Sequence, residues 1–504
     1  MTGCETNADP LVGLGDRTLE VKETHISRVL IGRERVLKLK KPVDFGFLDY
    51  TTLLMRKQAC EAEVRLNSRI SPEVYLGVEP IRDTSGVVVD YGVLMRRLPA
   101  DRMLDELVKA GQATEAMIAR AGGRLAAFHA EARRGPEVDA FGSLAVLRRN
   151  WEENFEQTAP YVGRTISADA FARIRAWVNT RLETDRARFE ARVAEGRIVD
   201  GHGDLRAESI CVVNGMHFFD CIEFNDRFRC GDVAGEIAFL AMDLDSLGRP
   251  DLGYNAVENY AGRSRDAGLW PLLPFYRCYR AYVRGKVLSF RLDQEGLSAE
   301  QKERAASRAA SYFALAARYA DRLERRAVIL VGGRSGTGKT TIARAIASEL
   351  GLRVVSTDAV RESVFGERKA AAGFGEGVYT PEAKARVYDA MMERAAALLA
   401  EDGAVILDAT FLHAADRARA RSLGAAVHAI ECRVDADEAH CRMDRRAAQG
   451  EGKSDATWDV YLRQQFEPPS SEECASWLTV DTGVPLAQCA RDAAAWLRRQ
   501  CAGC

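Results

Sequence analysis

No run of about 18 or more apolar residues occurs in this chain, so no hydrophobic helix long enough to span a bilayer is expected. An excess of one charge sign is missing too. The 71 Lys and Arg against 73 Asp and Glu leave a net charge of −2. That balance excludes bulk electrostatic attraction to nucleic acid or anionic lipid as the basis of function, and leaves room only for a local basic patch. A secretory leader is not expected: the stretch from Met1 to Asp16 carries Glu5, Asp9 and Asp16 and has no apolar core. Cysteine is sparse and scattered, 12 in 504 residues. Without an export signal these thiols read as reduced, several of them buried as small hydrophobes. Cys501 and Cys504 make a terminal CxxC that lacks a second Cys or His pair, so it reads as a frayed tail and not as a zinc site. No short internal repeat and no low-complexity tract is present. The expectation is a cytoplasmic, soluble protein without membrane association, and the length implies two to four domains.

What is present falls into three zones. From about Leu19 to Leu98 the pattern alternates short strands with one helix: "RVLIG" and "RVLKLK" form a hairpin, "YTTLLMRKQACEAEVRLNSRI" a helix, and "VVVDYGVLM" a strand. From Asp101 to about Asp293 helical periodicity dominates, interrupted between Ile198 and Phe228 by strand, polar loop and strand. The Ala- and Arg-rich stretch Ser298 to Arg326, free of Pro and Gly, predicts a long helix. A fresh alternation follows, with strands "AVILVGG", "RVVSTD", "AVILDAT", "AVHAIECRV" and "WLTVDT" separated mainly by helices, which predicts a parallel sheet covered on both faces. The predicted domains are 18–295, a connecting helix 296–326, and 327–504.

Gly333-Arg334-Ser335-Gly336-Thr337-Gly338-Lys339-Thr340 fits GxxxxGK[ST] at every fixed position, between an apolar strand and a helix. Glycines let backbone N–H groups turn inward on phosphate, Lys339 adds a point charge for the β- and γ-phosphates, and the Thr340 hydroxyl is placed for Mg²⁺. Thr341 extends the nucleotide-contacting turn. Asp358 is expected to end the second strand, at the ligand crevice, where it would accept a proton from a substrate hydroxyl. Arg361, three residues on in a helical turn, would hold a phosphate. The alternative is a helix cap followed by a surface arginine. Asp408 closes "AVILDAT" and is the carboxylate expected beside Mg²⁺. Arg442, Arg445 and Arg446 precede the segment Gln449 to Ser454, an arrangement resembling a lid whose arginines close over the nucleotide; a solvated basic face is the alternative.

"GGRSGTGKTTIARAIA", "STDAVRESVFG" and "VILDATF" resemble the P-loop kinases of the AAA_33 type, related to gluconate kinase, zeta toxin and the kinase half of polynucleotide kinase. The resemblance covers about Val328 to Thr482. It implies a five-stranded parallel sheet with helices on both faces, Asp358 as base and Arg361 positioning the acceptor.

A second constellation lies upstream. His202-Gly203-Asp204-Leu205 sits between strand-like runs, Ser209 follows Asp204 by five residues, and Asp220 follows an apolar strand sixteen residues on. A kinase catalytic loop needs a carboxylate to take the acceptor's proton and two oxygen ligands for Mg²⁺, and Asp204, Ser209 and Asp220 have that spacing. The strand lobe must add a lysine for the phosphates and a helix glutamate to hold it: Lys38 and Glu63, with Lys40 and Glu61 as competitors. "KLKKPVDFGFLDY", "HGDLRAESI", "DCIEFNDRFR" and "FYRCYRAYVRGK" resemble the aminoglycoside phosphotransferase family, in a bacterial branch where that domain is fused to the P-loop kinase. This resemblance runs from about Thr18 to Phe290. It implies an α+β, bilobal protein-kinase-like fold, Asp204 as catalytic base, Asp220 as metal ligand, and Met95 with Arg96 at the adenine hinge. The family's usual pattern has Asn where this chain has Ser209, and a second His where it has Arg206; a serine hydroxyl binds Mg²⁺ more weakly, and Glu208 is the substitute at hand. Arg277, Arg280 and Arg284 share one helical face, with Lys286 nearby, and read as a solvated basic face in preference to an anion site.

The whole reads as an ATP- and Mg²⁺-dependent phosphotransferase, α/β and α+β in two domains, acting on the hydroxyl of a small molecule. Two rivals remain: a regulatory first domain beside an ATP-gated P-loop domain, and a nucleic-acid 5′-hydroxyl kinase. Near-neutral charge speaks against the second.

Overall fold

A computed structural model of the chain describes residues 20–24, 26–44, 46, 48–321, 323, 325–366, 380–449 and 458–502. The acidic N-terminal stretch, Cys504 and most of the expected lid segment (450–454) lie outside the described residues. The chain divides into two compact units: Met1–Glu152 with Thr184–Leu240 and Arg263–Arg265, and Glu153–Glu183 with Ala241–Gly262 and Asp266–Cys504.

The first unit holds an antiparallel sheet in the order β1-β2-β3-β5-β4, with β1 Glu20–Glu23, β2 Ser27–Ile31, β3 Arg35–Lys40, β4 Tyr75–Arg82 and β5 Val88–Arg96. Gly32 and Arg35 close the β2–β3 hairpin, the Gly32 N–H donating to the Arg35 carbonyl at 2.9 Å. Between β3 and β4 runs the helix Leu53–Asn67, N-capped by Thr52, whose hydroxyl accepts from the Met55 N–H. Its inner face joins Cys60 to Val74, Tyr75 and Val93 in one apolar cluster. Glu63, fully buried on that face, is the exception an apolar stripe does not predict. Further on, two short antiparallel strand pairs flank the polar loop: β6 Ile198–Asp200 pairs with β9 Cys230–Asp232, and between them β7 Ile210–Cys211 forms a hairpin with β8 His217–Phe218.

The second unit holds a parallel sheet of five strands in the order β11-β12-β10-β13-β14. These are β10 Ala327–Gly332, β11 Val354–Ser356, β12 Ala404–Asp408, β13 Ala426–Arg433 and β14 Ser476–Asp481. Alternation along β10 sorts its side chains onto opposite faces. Ala327, Ile329 and Val331 meet Ile342, Ile346 and Leu350 of helix Lys339–Leu350 and Ala493 and Leu497 of helix Leu486–Gln500. Val328 and Leu330 meet Val387, Met391 and Leu399 of helix Pro381–Asp402. Two differences from expectation follow from local chemistry. β11 ends at Ser356, whose hydroxyl accepts from the Ala359 N–H and starts the helix Thr357–Phe365, so Asp358 lies in a first helical turn and is neither a strand end nor the cap. The long helix is Ala299–Ala320, opened by a capping box between Ser298 and Gln301.

The arginine face on helix Leu273–Phe290 is also corrected at one position. Arg277 is 1 % exposed. It donates to the Ser348 hydroxyl at 2.6 Å and lies 3.4 Å from Asp245. A buried carboxylate and a helix end therefore hold it, not solvent.

Candidate functional site

At the P-loop, Gly333, Gly336 and Gly338 all take positive φ. At Gly333 a Cβ would stand 2.5 Å from the Cys432 carbonyl oxygen, so only glycine passes at φ +137°. The loop delivers Lys339 and Thr340 to the first turn of the helix that follows, where unpaired N–H groups and the helix dipole favour phosphate. Lys339 Nζ donates to the Arg334 carbonyl at 2.8 Å, reaching back across the loop. Burial depresses its pKa, which Asp408 partly restores. Thr340 Oγ1 donates to Asp408 Oδ2 at 2.7 Å. Burial raises the Asp408 pKa, and the Thr340 hydrogen bond opposes it. Two hard oxygen donors thus stand side by side at the mouth of a glycine cradle beside a lysine, a donor set that fits Mg²⁺ on a nucleotide phosphate.

Asp358 and Arg361 form an ion pair at 2.5 Å, and Thr357 Oγ1 donates to the Asp408 carbonyl at 3.4 Å, which ties their helix to the end of β12. Arg442 donates to the Thr482 hydroxyl (3.0 Å) and carbonyl (2.9 Å), and that hydroxyl in turn donates to the Thr337 carbonyl at 2.9 Å. Arg442 is thereby brought to the loop. Arg446 is carried on the same helix as Arg442, Ala436–Gln449. Ser335 and Thr337 are buried within the loop, and Thr341 lies in the first helical turn.

In the first unit Lys38 Nζ lies 2.9 Å from Glu63 and 2.7 Å from Asp220. Burial would depress the lysine, but the Asp220 and Glu63 carboxylates outweigh it and hold the pKa well above the usual range. Lys38 likewise holds the Asp220 carboxyl far below its usual range. Asp220 takes φ +67°, a conformation that costs a non-glycine residue energy and aims its carboxylate at Lys38. Both competing lysines converge on Glu63, since Lys40 donates to its other oxygen. Glu61 is apart, paired with Lys57 at 3.7 Å. Ser209 is buried, and its carbonyl accepts from the Phe219 N–H at 3.1 Å, which sets it next to Asp220. Met95 ends the inner register of β5, opposite Val36 and Tyr75. Asp204 is bound by Arg206 at 3.0 Å, and Arg206 also grips Glu208.

Two residues here escape a reading by spacing. Glu223 binds Lys40 and accepts from the Tyr50 hydroxyl at 2.7 Å. Glu236 accepts from the N–H groups of His202 (2.6 Å) and Gly203 (3.1 Å), and lies 2.8 Å from His129. Burial alone would raise the Glu236 pKa; His129 and the His202 contacts reverse this and hold it at about 2. Gly203 takes φ +86°, and a Cβ there would press within 2.8 Å of the Phe228 carbonyl. A buried carboxylate thus fixes the backbone that presents Asp204. The only sequence signal for Glu236 is a charged residue inside the apolar stretch "VAGEIAFLAM" that opens the helix Val233–Ser246.

Residues 328–469 match the AAA_33 family, described as an AAA domain. An uncharacterized protein of Mycobacterium tuberculosis is 36% identical over 451 residues, covering 88% of this chain and 88% of the relative. A protein of Mycobacterium bovis matches with the same figures. The chain is also similar to the solved structure of a choline/ethanolamine kinase family protein from Mesorhizobium loti, at 12% identity over 62% of this chain and 96% of that one, with a TM-score of 0.38. The glycine-rich loop and strands β11, β12 and β13 lie within the residues that match AAA_33, and β14 lies beyond them.

Proposed function

The chain belongs to the family of these mycobacterial proteins, and on that premise we propose that it transfers the γ-phosphoryl group of Mg-ATP to a hydroxyl of a small molecule, with two kinase-type nucleotide sites. The observation that carries this is the 2.7 Å pair of Thr340 and Asp408 beside Lys339 at the mouth of the glycine cradle. The functional division we adopt is 18–295 for the protein-kinase-like domain, 296–326 for the connector and 327–504 for the P-loop domain.

Thr340 and Asp408 would hold Mg²⁺, which would supply charge neutralisation for the phosphates of the nucleotide. The loop amides and Lys339 hold the phosphates in line. Asp358 takes the proton of the acceptor hydroxyl, and Arg361, on the next helical turn, orients the acceptor. In the first domain Lys38, held by Glu63, meets phosphate. Asp220 and Ser209 would hold a metal ion, and Asp204 takes the acceptor proton. Phosphotransfer of this kind needs no covalent enzyme intermediate, so positioning and electrostatics suffice.

One observation favours a second reading for the first domain alone. Arg206 pairs with Asp204 and with Glu208 at once, so both carboxylates of this loop are tied to one guanidinium before any acceptor arrives. The two readings separate in a metabolite-pool assay with ATP and Mg²⁺. The lead reading expects new masses larger by one phosphoryl group, some lost in Lys339→Ala and others in Asp220→Asn. Products lost only in Lys339→Ala would leave the first domain regulatory, and ADP formation with no phosphorylated product would sink the transferase reading.

A further inference from the structure

The turn of the P-loop at Arg334 and Ser335 is gripped from outside by a segment far away in sequence. Gln464, which follows the short helix Trp458–Arg463, is 9 % exposed. Its side-chain oxygen accepts the Ser335 N–H at 2.7 Å, and its amide nitrogen donates to Ser335 Oγ at 2.9 Å. Both polar ends of the amide are therefore used on one residue, 129 positions away in the chain. The neighbouring residue is held by the same helix: the Arg334 guanidinium lies 5.5 Å from the centre of the Tyr461 ring. Tyr461 is itself stacked on Trp458 at 4.6 Å, and Trp458 on His440 at 4.4 Å. On the other side of the loop, a Cβ at Gly336 would meet Met443 at 3.0 Å and the Ala439 carbonyl at 3.1 Å.

The part of the cradle so gripped is the part that faces the lysine. Lys339 Nζ rests on the Arg334 carbonyl. The ammonium meets the β- and γ-phosphates in a P-loop, so Arg334 and Ser335 line the terminal-phosphate end. An amide with no net charge is suited to this place. It fixes an N–H and a hydroxyl without adding charge next to the phosphate, whereas a carboxylate would repel it.

We propose that Gln464 is a positioning residue of the P-loop site: it holds Ser335 so that the terminal phosphate of a nucleoside triphosphate is aligned for transfer. This rests on the P-loop reading above. Gln464 acts through Ser335, so its removal disturbs alignment in the transition state more than ground-state binding.

The test uses the full-length chain with Mg²⁺, ATP and a metabolite pool, and measures ADP formation; the share lost in Lys339→Ala belongs to the P-loop site. Gln464→Ala is expected to lower kcat of that share at least about tenfold while KM for ATP moves less than about threefold. Gln464→Glu guards against simple misfolding. A carboxylate still accepts the Ser335 N–H, and the Ser335 hydroxyl can turn to donate, so Tm should stay at the wild-type value. Its added charge should raise KM for ATP at least about tenfold while inhibition by ADP shifts less than about threefold. If Gln464→Glu is folded and both variants keep wild-type kcat and ATP-to-ADP discrimination, the link is merely structural and the proposal falls while the P-loop reading stands. If Lys339→Ala, or the absence of any ADP from the wild type, shows no P-loop share to measure, both fall together.

Discussion

Lys339 and Asp358 bear most of the chemistry assigned to the second unit, and they separate binding from transfer. Lys339→Ala removes the point charge for the phosphates, with a cost of about 2–4 kcal/mol in Mg-ATP affinity at the P-loop site. Titration of ATP into both proteins reads this directly, and equal affinities would overturn the assignment. Asp358→Asn keeps nearly the same shape and removes only basicity, so ATP binding should survive while transfer to the acceptor drops about 100-fold. If acceptor-dependent turnover is unchanged, Asp358 serves only the first turn of its helix. The P-loop was legible because its glycines, lysine and threonine are contiguous and the phosphate dictates their spacing. The placement of Asp358 was not legible, because the Ser356 cap turns the chain into a helix two residues earlier than the apolar pattern suggests. Asp220 and Ser209 differ in what they offer a metal. The full charge of Asp220 should dominate, so Asp220→Asn removes Mg²⁺-dependent nucleotide binding at the first site, whereas Ser209→Asn leaves it intact or strengthens it.

At the scale of elements, the loop around His202 depends on the helix Val233–Ser246 through one side chain. The Glu236 pKa is about 2 in the folded protein, below its ordinary value of 4.5. The folded state therefore releases that proton more readily than the unfolded chain does. The resulting stability is fully present above pH 4.5 and disappears as pH falls towards 2. Glu236→Gln should cost about 2–4 kcal/mol at pH 7, and the difference from wild type should shrink when denaturation is repeated near pH 4. A pH-independent difference would assign the loss to packing. This tie was not legible in the sequence, because the partners are 34 positions apart and a single glutamate in an apolar helix has no periodicity of its own. The same holds for Arg277, whose helical face looked basic until its partners on another helix, 71 positions away, were placed against it. Strands and helices themselves were legible wherever alternation or a 3.6-residue stripe faced a core, as in β10 and the helix Leu53–Asn67.

At the scale of the molecule, the sequence boundary and the packing boundary do not coincide. Tyr254 lies in sequence within the proposed domain 18–295, yet it is 2 % exposed within the core cluster of the parallel sheet. Its hydroxyl accepts the Val354 N–H of β11 at 2.8 Å. Tyr254→Ala should destabilise the second unit by about 3–5 kcal/mol, and Tyr254→Phe, which keeps the ring but orphans that N–H, by about 1–3 kcal/mol. Urea denaturation followed at the P-loop site measures both; two wild-type midpoints would mean the helix Pro250–Ser264 only touches the sheet without supporting it. The central claim is transfer of the γ-phosphoryl group, and it is tested most directly by following a radiolabelled γ-phosphate from ATP in the presence of Mg²⁺, a metabolite pool and the full-length chain. The account predicts label in an organic phosphate ester, sharply reduced in Lys339→Ala. Label found only in inorganic phosphate, or an ester formed equally by Lys339→Ala and wild type, would contradict it.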